Sequence, residues 1–167
     1  MLEDTSFAIQ PEQDDKTQET HRIDIGNMHT FSHTEHVFSF HCDTGIVKIR
    51  FYREDIVRIA FNPFGETSLS TSVAVVKEPE KVDASVHETE EEVTLTSAKL
   101  TVVLQKRPFR VRIYDNHGRL LVAEGKKGMA FTYQGEVCCF KMMDEADHFY
   151  GFGEKTGFLD KRGETMT

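Results

Sequence analysis

The clearest structural signal in the sequence is the stretch FRVRIYDNHGRLLVAE at residues 109–124. Apolar and arginine side chains alternate through FRVRIY, which is the two-residue period of a strand with one buried face. Asp-Asn-His-Gly at 115–118 is typical of a tight turn, because glycine adopts positive φ without a steric penalty. The stretch therefore predicts a β-hairpin whose turn lies at 115–118.

The same two-residue period recurs on both sides of this hairpin. It runs through VKIRFY at 47–52, VRIAF at 57–61 and LTVVL at 100–104. Turn sequences interrupt it, namely Asn-Pro-Phe-Gly at 62–65 and Gln-Gly at 134–135. No window has apolar residues at helical spacing over a helical length. The pattern predicts about ten short antiparallel strands in an all-β fold, a β-sandwich.

Length and composition restrict the classes of protein. A chain of 167 residues fits one domain and is too short for an eight-stranded β/α barrel, which needs about 200 residues or more. No stretch approaches the roughly 20 apolar residues of a membrane helix, and no secretory signal is visible at the N-terminus. Three cysteines, two of them adjacent, are a poor disulfide framework. These features predict a cytoplasmic protein with reduced thiols.

Charge is unevenly distributed along the chain. The formal net charge is −8, and residues 1–20 hold six acidic side chains against one lysine. The rest of the chain is nearly balanced, so nothing predicts the basic face of a nucleic-acid-binding protein. Residues 1–24 are predicted to form a polar arm, in which Phe7 and Ile9 could anchor one short strand. Residues 25–154 are predicted to form the sandwich domain, and 155–167 a loop.

Four histidines lie close together in the stretch HTFSHTEHVFSFH, at His29, His33, His36 and His41. Their first spacings would place three of them on one helical face, which is a possible metal arrangement. The alternation of VFSFH instead predicts a strand, with His36 and His41 on opposite faces. Solvated or edge-strand histidines are the favoured interpretation, and no metal site is predicted.

A second candidate for chemistry is the group of acidic side chains at Asp144, Glu145 and Asp147, next to His148. Glycoside hydrolysis needs two opposed carboxylates. Adjacent acidic residues before a strand are more often exposed to solvent, and no apolar pocket can be assigned to raise a pKa. The sequence contains no nucleophile elbow, phosphate loop or dinucleotide fingerprint. No catalytic residue and no cofactor is therefore predicted.

The most informative stretch is HFYGFGEKTGFLDKRG at 148–163, which combines aromatic, charged and closely spaced glycine residues. Glycine lets the backbone bend sharply or approach another surface. Aromatic residues beside charged ones suit a sugar or an interface with another domain. The alternative is a strand followed by a glycine-rich loop that packs within this domain.

These residues carry a family resemblance. HFYGFGEKTGFLDKRGETMT at 148–167 resembles the junction in glycoside hydrolase family 31, the α-glucosidase family, where the N-terminal β domain ends. KLTVVLQKRPFRVRIYDNHGRLL at 99–121 is similar to the hairpin of the same domain. The resemblance implies a galactose-mutarotase-like β-sandwich in front of a separate barrel that carries the catalytic aspartates. It implies that the positions at the substrate rim or barrel interface are Gly151, Gly153, Glu154, Lys155, Phe158, Asp160 and Arg162.

The function that the resemblance implies is that of a non-catalytic N-terminal domain of an α-glucosidase. Its partners would be the catalytic barrel of the same chain and an α-glucoside or oligosaccharide substrate, and the isolated chain would self-associate. One alternative is a carbohydrate-binding module that acts alone. Another is a mutarotase-type sugar epimerase, which needs a His and Glu pair that cannot be aligned here. The aromatic residues available for stacking on a sugar are Tyr52, Tyr114, Tyr133 and Tyr150.

Overall fold

The computed structural model describes residues 21–34, 36–65, 73–154 and 156–165. In these ranges the chain forms antiparallel strands, and it contains no helix that is long and apolar enough to cross a membrane. The predicted all-β class is confirmed. The short strand expected around Phe7 and Ile9 lies outside the described residues. The strands are β1 (Arg22–Asp24), β2 (Met28–Thr34), β3 (Val37–Cys42), β4 (Gly45–Arg53), β5 (Ile56–Asn62), β6 (Ser85–Glu88), β7 (Glu92–Thr96), β8 (Leu100–Lys106), β9 (Phe109–Asp115), β10 (Leu120–Thr132) and β11 (Val137–Lys141).

The strands form two sheets that pack face to face. The larger sheet has seven strands in the order β1-β10-β9-β8-β7-β6, with β11 also paired to β10. The smaller sheet has four strands in the order β2-β3-β4-β5. Because sequential strands are mostly neighbours, short turns suffice to connect them. The result is the predicted β-sandwich.

The hairpin predicted at 109–124 is the β9–β10 pair. Tyr114 lies opposite Leu120 in its register. In the turn, Oδ1 of Asp115 accepts hydrogen bonds from the backbone N–H groups of His117 and Arg119, each at 2.9 Å. Gly118 has φ of 79°, a conformation that favours glycine. The turn chemistry read from the sequence is thus present in the structure.

The core lies between the sheets, where the apolar positions of the alternating strands meet. Phe40 of the smaller sheet and Phe109 of the larger sheet are both fully buried, and their ring centroids are 5.9 Å apart. Burial of apolar area, at about 25 cal/mol per Å², stabilises the packing of the two sheets, and this pair is part of that buried area. The buried apolar residues around the pair include Phe38, Val47, Ile49, Phe51, Val93, Leu95, Val102, Leu104, Val111 and Met129.

Strand β10 pairs with different strands along its length, and its later residues bring β11 into the larger sheet. Its first residues pair with β9, whereas its later residues pair with β11 and β1, with a register shift between Glu124 and Met129. The buried carboxylate of Glu124 lies 3.0 Å from Nζ of Lys141 on β11 and accepts a hydrogen bond from the Val111 N–H at 3.0 Å. Strand β1 belongs to this sheet, so Arg22–Asp24, which fall within the predicted polar arm, pair with β10.

Candidate domain interface at residues 142–165

The chain that follows β11 forms what we define as the C-terminal segment, residues 142–165. The described part of this segment contains no regular strand. The backbone N–H of Met142 donates to the Ala123 carbonyl at 2.8 Å and so fixes the start of the segment against β10. Beyond this point the segment is shaped by side chains that bond to its own backbone.

Asp160 is the main hydrogen-bond acceptor in the C-terminal segment. Its Oδ2 lies 2.6 Å from Nδ1 of His148, and its Oδ1 accepts the backbone N–H groups of Phe149 at 3.0 Å and Arg162 at 3.1 Å. The hydrogen bond from His148, together with these two backbone donors, lowers the pKa of Asp160 from 3.8 to about 2. The carboxylate therefore stays ionised at neutral pH and joins two stretches that are more than ten residues apart.

Lys161 is buried, which is unusual for a lysine. It is 6% exposed, and its ammonium group donates to the carbonyl of Thr156 at 3.0 Å and lies 3.5 Å from a carboxylate oxygen of Glu164. Its backbone N–H also donates to the Phe149 carbonyl at 2.7 Å. A buried charge is tolerated when it is paired and hydrogen-bonded, so these partners account for its position.

Arg162 connects the end of the C-terminal segment to its beginning. Its Nη1 donates to the backbone carbonyls of Asp144 at 2.7 Å and Asp147 at 2.5 Å. The acidic side chains that were candidates for chemistry in the sequence, Asp144 and Asp147, lie in one turn. Oδ2 of Asp147 accepts the Asp144 N–H at 2.7 Å, and Oδ1 of Asp144 accepts the Ala146 N–H at 3.0 Å. Both carboxylates are thus bonded within the turn that Arg162 closes.

Left-handed backbone conformations bend the segment at three places, 151–153, 157 and 163. Gly151, Phe152 and Gly153 all have positive φ, at 94°, 67° and 76°. Glycine adopts this region readily, whereas phenylalanine rarely does. Gly157 has φ of 106°, and a Cβ there would lie 3.1 Å from the carboxylate of Glu164. The closely spaced glycines of the sequence therefore allow a compact loop.

Large apolar side chains lie on the outside of this loop. Phe158 is 80% exposed and Leu159 is 82% exposed, and they are adjacent in sequence. Tyr150 and Phe152 are each more than half exposed, and the ring of Tyr150 stacks on that of His148. Other large apolar side chains of the domain are exposed as well, among them Val73 and Val76, and a contiguous group of such side chains is typical of an interaction site.

The predicted site residues fall into two groups in the structure. Gly151, Gly153, Glu154 and Phe158 are exposed to solvent. Asp160 and Arg162 bond inside the C-terminal segment, and Lys155 lies outside the described residues. Sequence reasoning missed the roles of three residues that hold the loop together. These are His148, Lys161 and Glu164, for which no periodicity or motif gave a signal.

The other sequence candidates lie elsewhere in the fold. His29 and His33 are on β2, an edge strand of the smaller sheet, and His29 pairs with Asp43. Within the described ranges, no three His, Cys, Asp or Glu side chains form a group that could hold a metal ion. Of the tyrosines considered for sugar stacking, Tyr133 and Tyr150 are exposed. Tyr52 and Tyr114 are only partly exposed.

Comparison with known proteins gives one family match. Residues 46–167 match the model of the glycosyl hydrolase 31 N-terminal galactose mutarotase-like domain. Over all 167 residues the chain is 99% identical to Alpha-glucosidase 2 of Bacillus thermoamyloliquefaciens, of which it spans 21%. It is 26% identical over 130 residues to the isomaltosyltransferase of Sporosarcina globispora, which corresponds to 72% of this chain and 11% of that protein. The chain thus spans a minor part of the length of both relatives.

Solved structures show the same fold at lower identity. The GH31 dextranase of Flavobacterium johnsoniae, complexed with isomaltotriose, matches with a TM-score of 0.76 and 23% identity. The match covers 84% of this chain and 18% of that chain. The cycloalternan-forming enzyme from Listeria monocytogenes, in complex with a pentasaccharide substrate, matches with a TM-score of 0.69 and 20% identity, covering 86% of this chain and 14% of that chain.

Proposed function

This chain belongs to the family of glycosyl hydrolase 31 N-terminal galactose mutarotase-like domains, and on that premise we propose that it is the non-catalytic N-terminal domain of an α-glucosidase. The family and the fold inferred from residues 99–121 and 148–167 are confirmed. The observation that carries the proposal is the 99% identity to Alpha-glucosidase 2, of which the chain spans 21%. The proposed whole enzyme hydrolyses α-glucosidic bonds in α-glucosides or oligosaccharides.

The proposed role of the domain is to pack on a catalytic barrel in the same protein and to shape the entrance to its active site. The exposed apolar face of the C-terminal segment supports this role, because burying it against another domain removes apolar area from water. Within this role, the proposed interface or rim positions are Gly151, Gly153, Glu154, Phe158, Asp160 and Arg162. Lys155 is proposed on sequence alone.

The placement of the acidic side chains supports a non-catalytic role. Asp144 and Asp147 use their carboxylates to hold a turn, and Glu124 is buried beside Lys141. Glycoside hydrolysis instead requires two carboxyl groups that face each other across the scissile bond. The catalytic pair is therefore proposed to lie outside this chain.

Carboxylate variants of the full-length protein test this assignment. The triple variant Asp144→Asn, Glu145→Gln and Asp147→Asn is expected to hydrolyse an aryl α-glucoside with a kcat within about twofold of the unmodified enzyme. Removal of a catalytic carboxylate typically reduces the rate by at least about a hundredfold. A loss of that size in the triple variant, with unchanged thermal unfolding, would contradict the proposal. Glu88→Gln is the matched control, since this exposed glutamate lies on β6, the edge strand farthest from β10, and pairs with Lys106 of β8.

A further inference from the structure

Two adjacent apolar side chains of the C-terminal segment, Phe158 and Leu159, are exposed, and we call this pair the tip of the segment. Phe158 and Leu159 are 80% and 82% exposed, whereas Lys161, two residues later, is only 6% exposed. A large apolar side chain gains free energy when it leaves water, so two adjacent ones on a surface are an unfavourable feature of the isolated domain. The tip is therefore well suited to contact a second surface.

The loop that carries this tip is closed at its base by polar contacts. The Phe158 N–H donates to Oε1 of Glu164 at 3.2 Å, and the buried ammonium group of Lys161 donates to the Thr156 carbonyl at 3.0 Å. Asp160, next to the tip, is held by His148 at 2.6 Å. The two apolar side chains thus project from a fixed loop, and a fixed loop loses little conformational entropy when it binds.

We propose that Phe158 and Leu159 are the anchor through which this domain attaches to the catalytic domain of the same protein, and that Asp160 is the positioning residue that presents them. The identity of the partner, and only that, rests on the proposed function. About four-fifths of the 99% identical relative lies outside the length that this chain spans, which supplies a partner surface in every molecule. Buried apolar anchors at the centre of an interface carry most of its binding energy.

Hydrogen–deuterium exchange in the full-length protein tests the anchor, read on peptides outside residues 1–167. In the variant Phe158→Ser/Leu159→Ser, one contiguous group of those peptides is expected to exchange at least about tenfold faster, because their covering surface is lost. The matched control is Val75→Ser/Val76→Ser, another adjacent pair of exposed apolar residues. The control is expected to leave those peptides unchanged. Equal exchange in all three proteins would overturn the inference.

The role of Asp160 is tested by combining variants. Asp160→Ala is expected to accelerate exchange in the same peptides, and adding it to the Phe158/Leu159 variant should cause little further change. Asp160→Asn should restore much of the protection, because its amide oxygen still accepts the N–H groups of Phe149 and Arg162. Additive effects, or acceleration confined to residues 1–167, would show a local structural role and overturn the assignment of Asp160 as a positioning residue.

Two further measurements separate the possible failures. If the loss of protection in the Phe158/Leu159 variant coincides with conversion of a dimer to a monomer in sedimentation, the tip binds a second copy, and the inference is wrong. If the unmodified protein hydrolyses α-glucosides but exchange does not respond, the inference fails and the proposed function stands. If exchange responds but no α-glucoside is hydrolysed, the anchor stands and the proposed function fails.

Discussion

Nδ1 of His148 lies 2.6 Å from Oδ2 of Asp160, and this contact joins the aromatic beginning of the C-terminal segment to its charged end. The other oxygen of the same carboxylate accepts two backbone N–H groups, from Phe149 and Arg162. Together with the contacts of Lys161 and Arg162, this acceptor gives a defined shape to a stretch without regular strands. This shape places Phe158 and Leu159 at the surface.

The first prediction concerns the response of this contact to acid. Because the pKa of Asp160 is lowered from 3.8 to about 2, its stabilising contribution is complete above its ordinary pKa and is lost as the pH falls towards 2. The NMR signal of the Phe149 N–H, which bonds to this carboxylate, should titrate with a midpoint near 2. In Asp160→Asn this titration should be absent. A midpoint near 3.8 in the unmodified chain would show that the contacts are not formed in solution.

The second prediction concerns the buried carboxylate of Glu124. Glu124→Ala removes the partner of Lys141 and leaves the Val111 N–H without its acceptor. Urea unfolding should show that the free energy of unfolding falls by about 2–4 kcal/mol, since breaking a buried pair leaves unsatisfied groups. The control is Glu88→Ala, which breaks a half-exposed pair with Lys106 and should cost no more than about 1 kcal/mol. Equal effects of the two substitutions would contradict the interpretation of β10.

The third prediction concerns the contact between the two sheets. Phe109→Ala removes a fully buried ring that packs on Phe40 and should lower the free energy of unfolding by about 3–5 kcal/mol. Phe158→Ala is a control of the same residue type at a site that is 80% exposed. In the isolated chain it should change the free energy of unfolding by less than about 0.5 kcal/mol. A large loss of stability in Phe158→Ala would show that this ring is buried in the core.

Much of the sandwich was predictable because its strands alternate. Residues 47–52 and 109–114 place every second side chain in the core, so local sequence reports burial directly. The β9–β10 hairpin was predictable for a similar reason, since its turn residues are contiguous. The pairing of β1 with β10 was not, because register between distant strands depends on packing that no local pattern encodes.

The C-terminal segment was predictable only in part. Its aromatic residues and glycines identified the family, but their spacing does not determine which carboxylate binds which donor. Asp160 is predicted from the sequence as a rim or interface position, and its bonds to His148 and to the Phe149 N–H could not be predicted. Lys161 lies in a charged stretch that reads as exposed, yet its ammonium group is buried against Thr156 and Glu164. Which residues of an irregular loop contact each other depends on how the loop folds back on itself, and no periodic pattern in the sequence encodes this.

The fourth prediction concerns association of the isolated chain. Exposed apolar side chains on the C-terminal segment favour contact between copies when no other domain covers them. Sedimentation equilibrium should therefore show a mass that rises with concentration. Phe158→Ser/Leu159→Ser should weaken this association by about tenfold or more, whereas Val75→Ser/Val76→Ser should not. A strictly monomeric chain at high concentration would contradict this prediction.

The central claim is that this domain serves an α-glucosidase without carrying its catalytic groups. The most direct test compares the full-length protein and the 167-residue chain, at equal molar concentration, in hydrolysis of an aryl α-glucoside. The full-length protein is predicted to release the phenol, and the chain is predicted to give only the rate of the buffer. Hydrolysis by the chain alone, at a rate that depends on its own carboxylates, or inactivity of the full-length protein towards all α-glucosides, would contradict the claim.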